Sequence, residues 1–464
     1  MTVAPRTATV AAAAAVVYAL VLAVLALAPA RALGHDEAVY ALGADALLHG
    51  EDHGALPLHR SIGMSVATAP GVLAGGSELA LRVPFALYAL AYLALVAVLA
   101  RRSAGGGAGV AAAAMAIALG AQVTNPEFAW RAAEALSDVP AALALLATIA
   151  ALTAPRPRPA LAAIAAAAAC YLRYGSAPVA VVIFVAAFAL EPARRRATAL
   201  AALGALGLLA PFFLWSAAIT DGPLGVLRES ERMAQPGSGF SYYLRAWPVT
   251  LAGPIAGALA ALGAVVGVGS WRRGVDDPAR RLRRLLTIAA LGQLVLLGWR
   301  IHGEARFVTF AITALVIVGA SWLGAVATRA RVALALVLAT AVPSAVWTLV
   351  RLDHLASSRR PVVAAAETIA RDRAGEPCVA FATEAPTVAW YGGCRAYQLD
   401  GWGVLPGLAL DAPRVYLVDA DGLRRRYPTL ARDTAAQFAW TPVPVPHPRA
   451  WVWRAGRAIT LATR

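Results

Sequence analysis

Lysine is missing from the sequence: all 41 lysine-or-arginine positions among the 464 residues are arginine. Charge of either sign is scarce, at 14% of residues against 60% hydrophobic. Soluble enzymes of this length carry about a quarter charged residues, so that class is excluded. The apolar residues run on unbroken for long stretches, which marks membrane spans rather than one large soluble core. Cysteine is limited to Cys170, Cys378 and Cys394. No internal repeat is visible.

What the chain does have is a positive balance of +15. A nucleic-acid binder gathers its basic residues on one face of a folded domain. Here they stand in short clusters between apolar runs: Arg101 and Arg102, Arg156 and Arg158, Arg194 to Arg196, Arg272 to Arg284, Arg329 and Arg331. That is the pattern of cytoplasmic loops under the positive-inside rule, and nucleic acid is not an expected partner. The first apolar run, Ala8 to Ala30, follows Arg6 and ends in small residues, as a signal peptide does. It exceeds the ~7–15 residues of a signal core and reaches the ~20 residues of a span. An uncleaved first helix is expected.

Ten more spans are expected, near 79–100, 108–123, 139–153, 160–172, 177–190, 199–217, 249–268, 285–299, 307–325 and 332–350. The third and fifth, rich in alanine and glycine, are expected as interior helices packed through small residues. This parity puts every arginine cluster inside. It puts segments 31–65, 124–138, 221–247 and 301–306, the turn at Arg173 and the tail beyond Arg351 outside. The expected fold is an all-α polytopic membrane bundle of about eleven helices, residues 1–350, in the cytoplasmic (inner) membrane. A small extracytoplasmic α/β domain, 351–464, follows it. In that tail Pro361 to Arg373 has helical periodicity, and Cys378 to Ala382, Pro386 to Tyr391 and Arg414 to Val418 read as strands. Cys378 and Cys394, both outside, are expected to pair, the alternative being two free thiols. Cys170 reads as inert packing.

Three polar constellations stand on the outer side. His35-Asp36-Glu37 follows the first span; two adjacent carboxylates there suit a general base and its electrostatic neighbour, or else an ordinary helix N-cap. Glu134 and Asp138 are spaced to share one helical face, with Arg131 as a candidate partner, or they are an acidic first turn. His302-Gly303-Glu304-Ala305-Arg306-Phe307 fills a tight loop. Arginine offers planar donors suited to phosphate and histidine adds another; Arg173 is a further outer cation. Snorkelling to lipid headgroups is the plain alternative. Together these groups suit deprotonation of a hydroxyl while a phosphate leaves.

With these motifs the chain resembles the GT-C glycosyltransferases, membrane enzymes that use polyprenyl-phosphate sugars. The resemblance rests on one span followed by Asp36-Glu37-Ala38-Val39-Tyr40, on Leu81-Arg82-Val83-Pro84-Phe85 opening a helix that ends at Arg101-Arg102, and on Glu134 and Asp138 before the fourth span. Arg173 is similar in place to a donor-phosphate cation. His302-Gly303-Glu304-Ala305-Arg306-Phe307 is similar to the His-Lys-Glu-x-x-Arg-Phe motif of the mannosyltransferase-like branch, with Gly303 in place of the lysine.

The resemblance implies an inverting glycosyltransferase, a hexosyl or pentosyl transferase with mannose as one candidate sugar. It would carry the sugar from a polyprenyl phosphate to a lipid, glycan or protein acceptor. Asp36 would be the base and Glu37 its positioning neighbour, and Glu134 or Asp138 would support the acceptor. Arg173, His302, Glu304 and Arg306 would hold the donor phosphate. No cofactor is required, and a divalent cation is left open. A transporter or lipid flippase, and a non-catalytic scaffold for the tail, are the rival readings.

Overall fold

The computed structural model describes residues 31–50, 60–233, 237–246, 249–272, 277–300, 302–398, 412–419 and 440–455. The expected first span, 8–30, lies outside the described residues. The helices are α1 His35–His49, α2 Ile62–Leu73, α3 Glu78–Ala104, α4 Ala108–Val123, α5 Pro126–Ala132, α6 Asp138–Leu152, α7 Pro159–Leu172, α8 Ala177–Leu190, α9 Arg195–Ile219, α10 Gly225–Met233, α11 Gly239–Ala246, α12 Val249–Gly269, α13 Pro278–Arg300, α14 Thr309–Gly324, α15 Ala327–Asp372 and α16 Ala385–Gly392. The strands are β1 Cys378–Ala382, β2 Arg395–Gln398, β3 Arg414–Asp419, β4 Trp440–Val443 and β5 Trp451–Ala455.

Every expected span that falls on described residues is helical. By length and composition, however, only six described helices can cross a membrane, or seven if the bent pair α4 and α5 counts as one. The expected count of about eleven is therefore not confirmed among the described residues, for a geometric reason. Helices α6, α7 and α8 have 15, 14 and 14 residues. At ~1.5 Å per residue such helices extend about 22 Å, short of the ~30 Å hydrocarbon layer. The 73° bend between α4 and α5 has a local cause. Asn125 accepts from the N–H groups of Glu127 and Phe128, and Pro126 follows it, so a new helix is capped before the old direction can continue.

The described residues divide into two compact units: those within 60–64 and 82–350 in the first, and those within 31–50, 65–81 and 351–455 in the second. In the first, α14 is the deepest span, 78% buried. It meets α12 backbone to backbone. A Cβ at Gly263 would come within 1.9 Å of the Leu315 carbonyl oxygen, and one at Gly319 within 2.3 Å of that of Leu259. Small residues let the two helices close in this way. The expectation of interior position for the alanine-rich spans fits α7 less well, since Leu161 and Ile164 of that helix are exposed.

One end of this unit is tied by arginines that cap neighbouring helices. Arg102 donates to the Ala150 carbonyl at 2.9 Å. Arg194 donates to those of Leu152 and Ala154 at 3.1 and 2.8 Å, and Arg283 to that of Ser103. The last carbonyls of a helix lack intrahelical donors, so these cations satisfy them. Since α6 finishes at that end with Leu152, Asp138 at its start stands at the opposite one.

The second unit holds a five-stranded sheet of order β2-β1-β3-β5-β4, parallel through β2-β1-β3 and antiparallel through β5 and β4. Strand alternation puts Cys378, Ala380 and Ala382 against Val362, Ala365 and Ile369 of α15 and Val388 of α16, and Val379 and Phe381 on the other face. Cys378 and Cys394 are joined by a disulfide. The expected strand at Pro386–Tyr391 is instead helix α16. Proline at its first turn and Gly393 in the left-handed region after it, φ 64°, are helix-start and helix-stop signals. The strands at β2, β4 and β5 had not been expected. The helices α1, α10 and α11 lie in segments expected as loops.

Candidate functional site

The candidate residues fall into two groups, one in each unit. His35, Asp36 and Glu37 open α1 in the second unit; Glu134, Asp138, Arg173, His302, Glu304 and Arg306 belong to the first.

At the start of α1 the two carboxylates have different surroundings. Glu37, side chain 1% exposed, accepts from the Gly34 N–H at 3.0 Å and pairs with Arg359 of α15 at 3.3 Å. Arg359 also donates to the Ala32 carbonyl. Gly34 has to be glycine for this closure: a Cβ there would lie 2.5 Å from the Arg359 Nη2. From α16, Tyr391 accepts from the Leu33 N–H and donates to Glu78. Residues 32–37 are therefore pinned by two elements of the tail. Glu37 is taken up in this clamp, whereas Asp36 is half-buried. His35 meets Glu384, between β1 and α16, at 3.1 Å. Glu384 carried no signal in the sequence, because its partner is 349 positions away.

In the first unit the cations gather around one ring. Arg173 lies over Phe307 at 4.9 Å from the centroid and Arg306 at 5.4 Å. The His302 ring meets the same phenyl edge-on at 5.7 Å. Arg173 follows α7 and is held from behind by Asp138, 2.6 Å away and 1% exposed, and by Ser137 at 3.1 Å. Glu304 accepts from Arg306 through one oxygen and meets His302 at 3.0 Å through the other. Burial pushes the Glu304 carboxyl up, but Arg306 and His302 outweigh it and hold it below the ordinary glutamate value.

Helix α11 covers this loop. A Cβ at Gly303 would fall 2.4 Å from Tyr242 Cβ, which explains why glycine stands there: the tyrosine occupies the space a longer side chain would need. Burial pushes the neighbouring Tyr243 hydroxyl up to about 12. Phe307, Tyr242 and Tyr243 were not among the expected site residues. Aromatic type alone does not separate ring platforms from core.

Glu134 and Asp138 do not share a helical face, contrary to expectation. Helix α6 begins only at Asp138, and Glu134 is buried in the preceding turn. Arg131 pairs with Glu127 instead, at 3.4 Å, and lies over Trp130. Among the described residues no group of three or more His, Cys, Asp or Glu side chains is gathered as a metal site needs.

No protein-family model matches the chain, and no curated protein sequence matches it. Solved structures do. The apo structure of ArnT from Cupriavidus metallidurans matches with a TM-score of 0.71 at 15% identity, over 98% of this chain and 98% of that one. ArnT bound to undecaprenyl phosphate matches at 0.66 and 16% identity, again over 98% of each chain. The Archaeoglobus fulgidus oligosaccharyltransferase, in complex with Zn and sulfate, matches at 0.60 and 13% identity, over 90% of this chain and 69% of that one.

Proposed function

Because the chain has the GT-C fold of these membrane proteins, we propose that it transfers a sugar from a polyprenyl-phosphate carrier to an acceptor hydroxyl, with inversion. The observation that carries this reading is the gathering of Arg173, Arg306 and His302 around Phe307 at one end of the helical unit. Guanidinium and imidazole groups set in advance can bind a phosphate and stabilise the charge it gains on leaving. The fold shared with a structure bound to undecaprenyl phosphate supports a lipid-linked donor.

In the proposed step the acceptor O–H proton goes to the Asp36 carboxylate. The acceptor oxygen bonds to the anomeric carbon as the bond from that carbon to the phosphate oxygen breaks, and its electron pair stays with the polyprenyl phosphate. Asp36 is the base because it is the half-exposed carboxylate of its pair. Glu37 positions it by fixing the start of α1. Asp138 supports the site through Arg173. No proposed step passes through a metal.

The donor sugar is a hexose or a pentose, with mannose the first to try; the acceptor is a lipid, glycan or protein hydroxyl. The proposed setting is the outer face of the cytoplasmic membrane, with the tail outside. A transporter would set its polar groups at mid-membrane depth; Asp138 and Arg173 stand at helix ends. The test is to incubate the purified protein with a panel of polyprenyl-phosphate sugars and follow donor loss and carrier phosphate release. Intact donor across the whole panel would overturn the reading.

A further inference from the structure

Two arginine–carboxylate pairs flank the Phe307 ring, and they differ in burial. The Asp138 side chain is 1% exposed, and its cation Arg173 is also bound by Ser137. The Glu304 side chain is 33% exposed and spans two donors, His302 at 3.0 Å and Arg306. Asp138 has no route to water, since a carboxylate at that depth needs its partner. Glu304 does have one.

We propose that the two carboxylates act in opposite senses: Asp138 is a fixed positioning residue for Arg173, whereas Glu304 is a resident counter-anion whose place between His302 and Arg306 the donor's phosphate takes. This rests on the polyprenyl-phosphate reading above. A phosphate offers the same kind of oxygen acceptor as a carboxylate, with more charge and more oxygens, so it can replace Glu304 on both donors. Arg306 keeps its seat over Phe307 when Glu304 swings out, and Arg173 keeps both its ring and its carboxylate. The cations therefore stay placed during the exchange. Glu304 is ionised at neutral pH, because its cations lower its pKa despite burial. It competes with every incoming anion and sets a threshold that weak anions fail to pass.

The two roles predict effects of opposite sign from similar substitutions. The measurement is undecaprenyl phosphate binding to the purified full-length protein in detergent micelles, with phosphatidic acid as the comparison anion. Glu304→Gln keeps the shape and removes the charge, and it should tighten undecaprenyl phosphate binding about fivefold, the scale of one part-exposed ion pair removed from competition. Asp138→Asn should weaken it by about tenfold or more. If that variant does not fold, Ser137→Ala removes the other contact to Arg173 and should weaken binding about threefold. Unchanged or weaker binding by Glu304→Gln overturns the inference, as does undiminished binding by Asp138→Asn or by Ser137→Ala. Wild-type protein that holds undecaprenyl phosphate no better than phosphatidic acid overturns the polyprenyl-phosphate reading, and the inference with it. The two failures are therefore distinguishable.

Discussion

Replacing Glu37 should unfold the start of α1 rather than remove a chemical group. The carboxylate is 1% exposed and bound to Arg359, which is itself 16% exposed. Removing one partner of a buried pair costs about 3–5 kcal/mol, because the other charge is left uncompensated. Arg359 keeps some contact with water, so the lower end applies, about 3 kcal/mol. The lost hydrogen bond to the Gly34 N–H adds about 0.5–1 kcal/mol. At 1.4 kcal/mol per tenfold, the sum is a local opening roughly 300- to 700-fold more frequent. Hydrogen–deuterium exchange of peptides covering 31–45, in full-length Glu37→Ala protein, measures this directly. Gly34→Ala displaces the Arg359 guanidinium and should raise exchange in the same peptides by less. Exchange within about threefold of wild type in Glu37→Ala would refute the clamp. A variant with unchanged exchange and no transfer would give Glu37 a chemical role in its place.

Asp36→Asn should lower transfer by about 10²- to 10⁴-fold, the usual worth of a general base, with protein level unchanged; activity assayed on the same donor panel and found intact would remove Asp36 from the chemistry. Reducing the Cys378–Cys394 disulfide, 16 positions apart, should cost the second unit about 3 kcal/mol. Thermal unfolding with and without reductant reports this, and an unmoved transition counts against it. Burial, and then the Asp372 carboxylate that its hydroxyl binds at 2.7 Å, push Tyr416 up to about 12. Its folded pKa is thus raised above the ordinary ~10. The stability it lends is complete below pH ~10 and is lost as pH rises toward 12. Tyr416→Phe should flatten the stability-against-pH curve in that window, and a curve of unchanged slope would refute the assignment.

The long apolar helices were legible because apolar runs bounded by arginines leave little choice of structure, and strand β1 because Cys378 to Ala382 is short, apolar and bounded by turns. The lengths of the individual helices were not legible. Composition marks α6, α7 and α8 as apolar but does not say that they stop at 14 or 15 residues. Pro386 to Tyr391 reads as a strand in sequence, yet Pro386 starts a helix because its missing N–H costs nothing in the first turn. The loop 302–307 was legible as a cation site from residue type and crowding. Its organisation around Phe307 was not, since the ring brings Arg173 from 134 positions away. Glu384 and Arg359 were illegible for the same reason: their partners lie at the far end of the chain.

Burial then sorts the acidic residues that the sequence presents as equals. Asp36 and Glu37 are neighbours of like charge, yet a helix turns about 100° per residue, so one can face a protein cation while the other reaches water. The same contrast separates Asp138 from Glu304. A fully buried carboxylate is tolerated only when paired, so Glu37 and Asp138 are committed to Arg359 and Arg173 in every state that keeps the fold. They cannot also take a proton or make way for a phosphate without uncovering a buried cation. Asp36 and Glu304 are only half-buried, and the proposed chemistry assigns proton uptake and displacement to them. Under the proposed chemistry the acidic pairs are therefore not duplicated catalytic groups. In the proposal each couples one carboxylate that holds the geometry to one that is assigned the change of state.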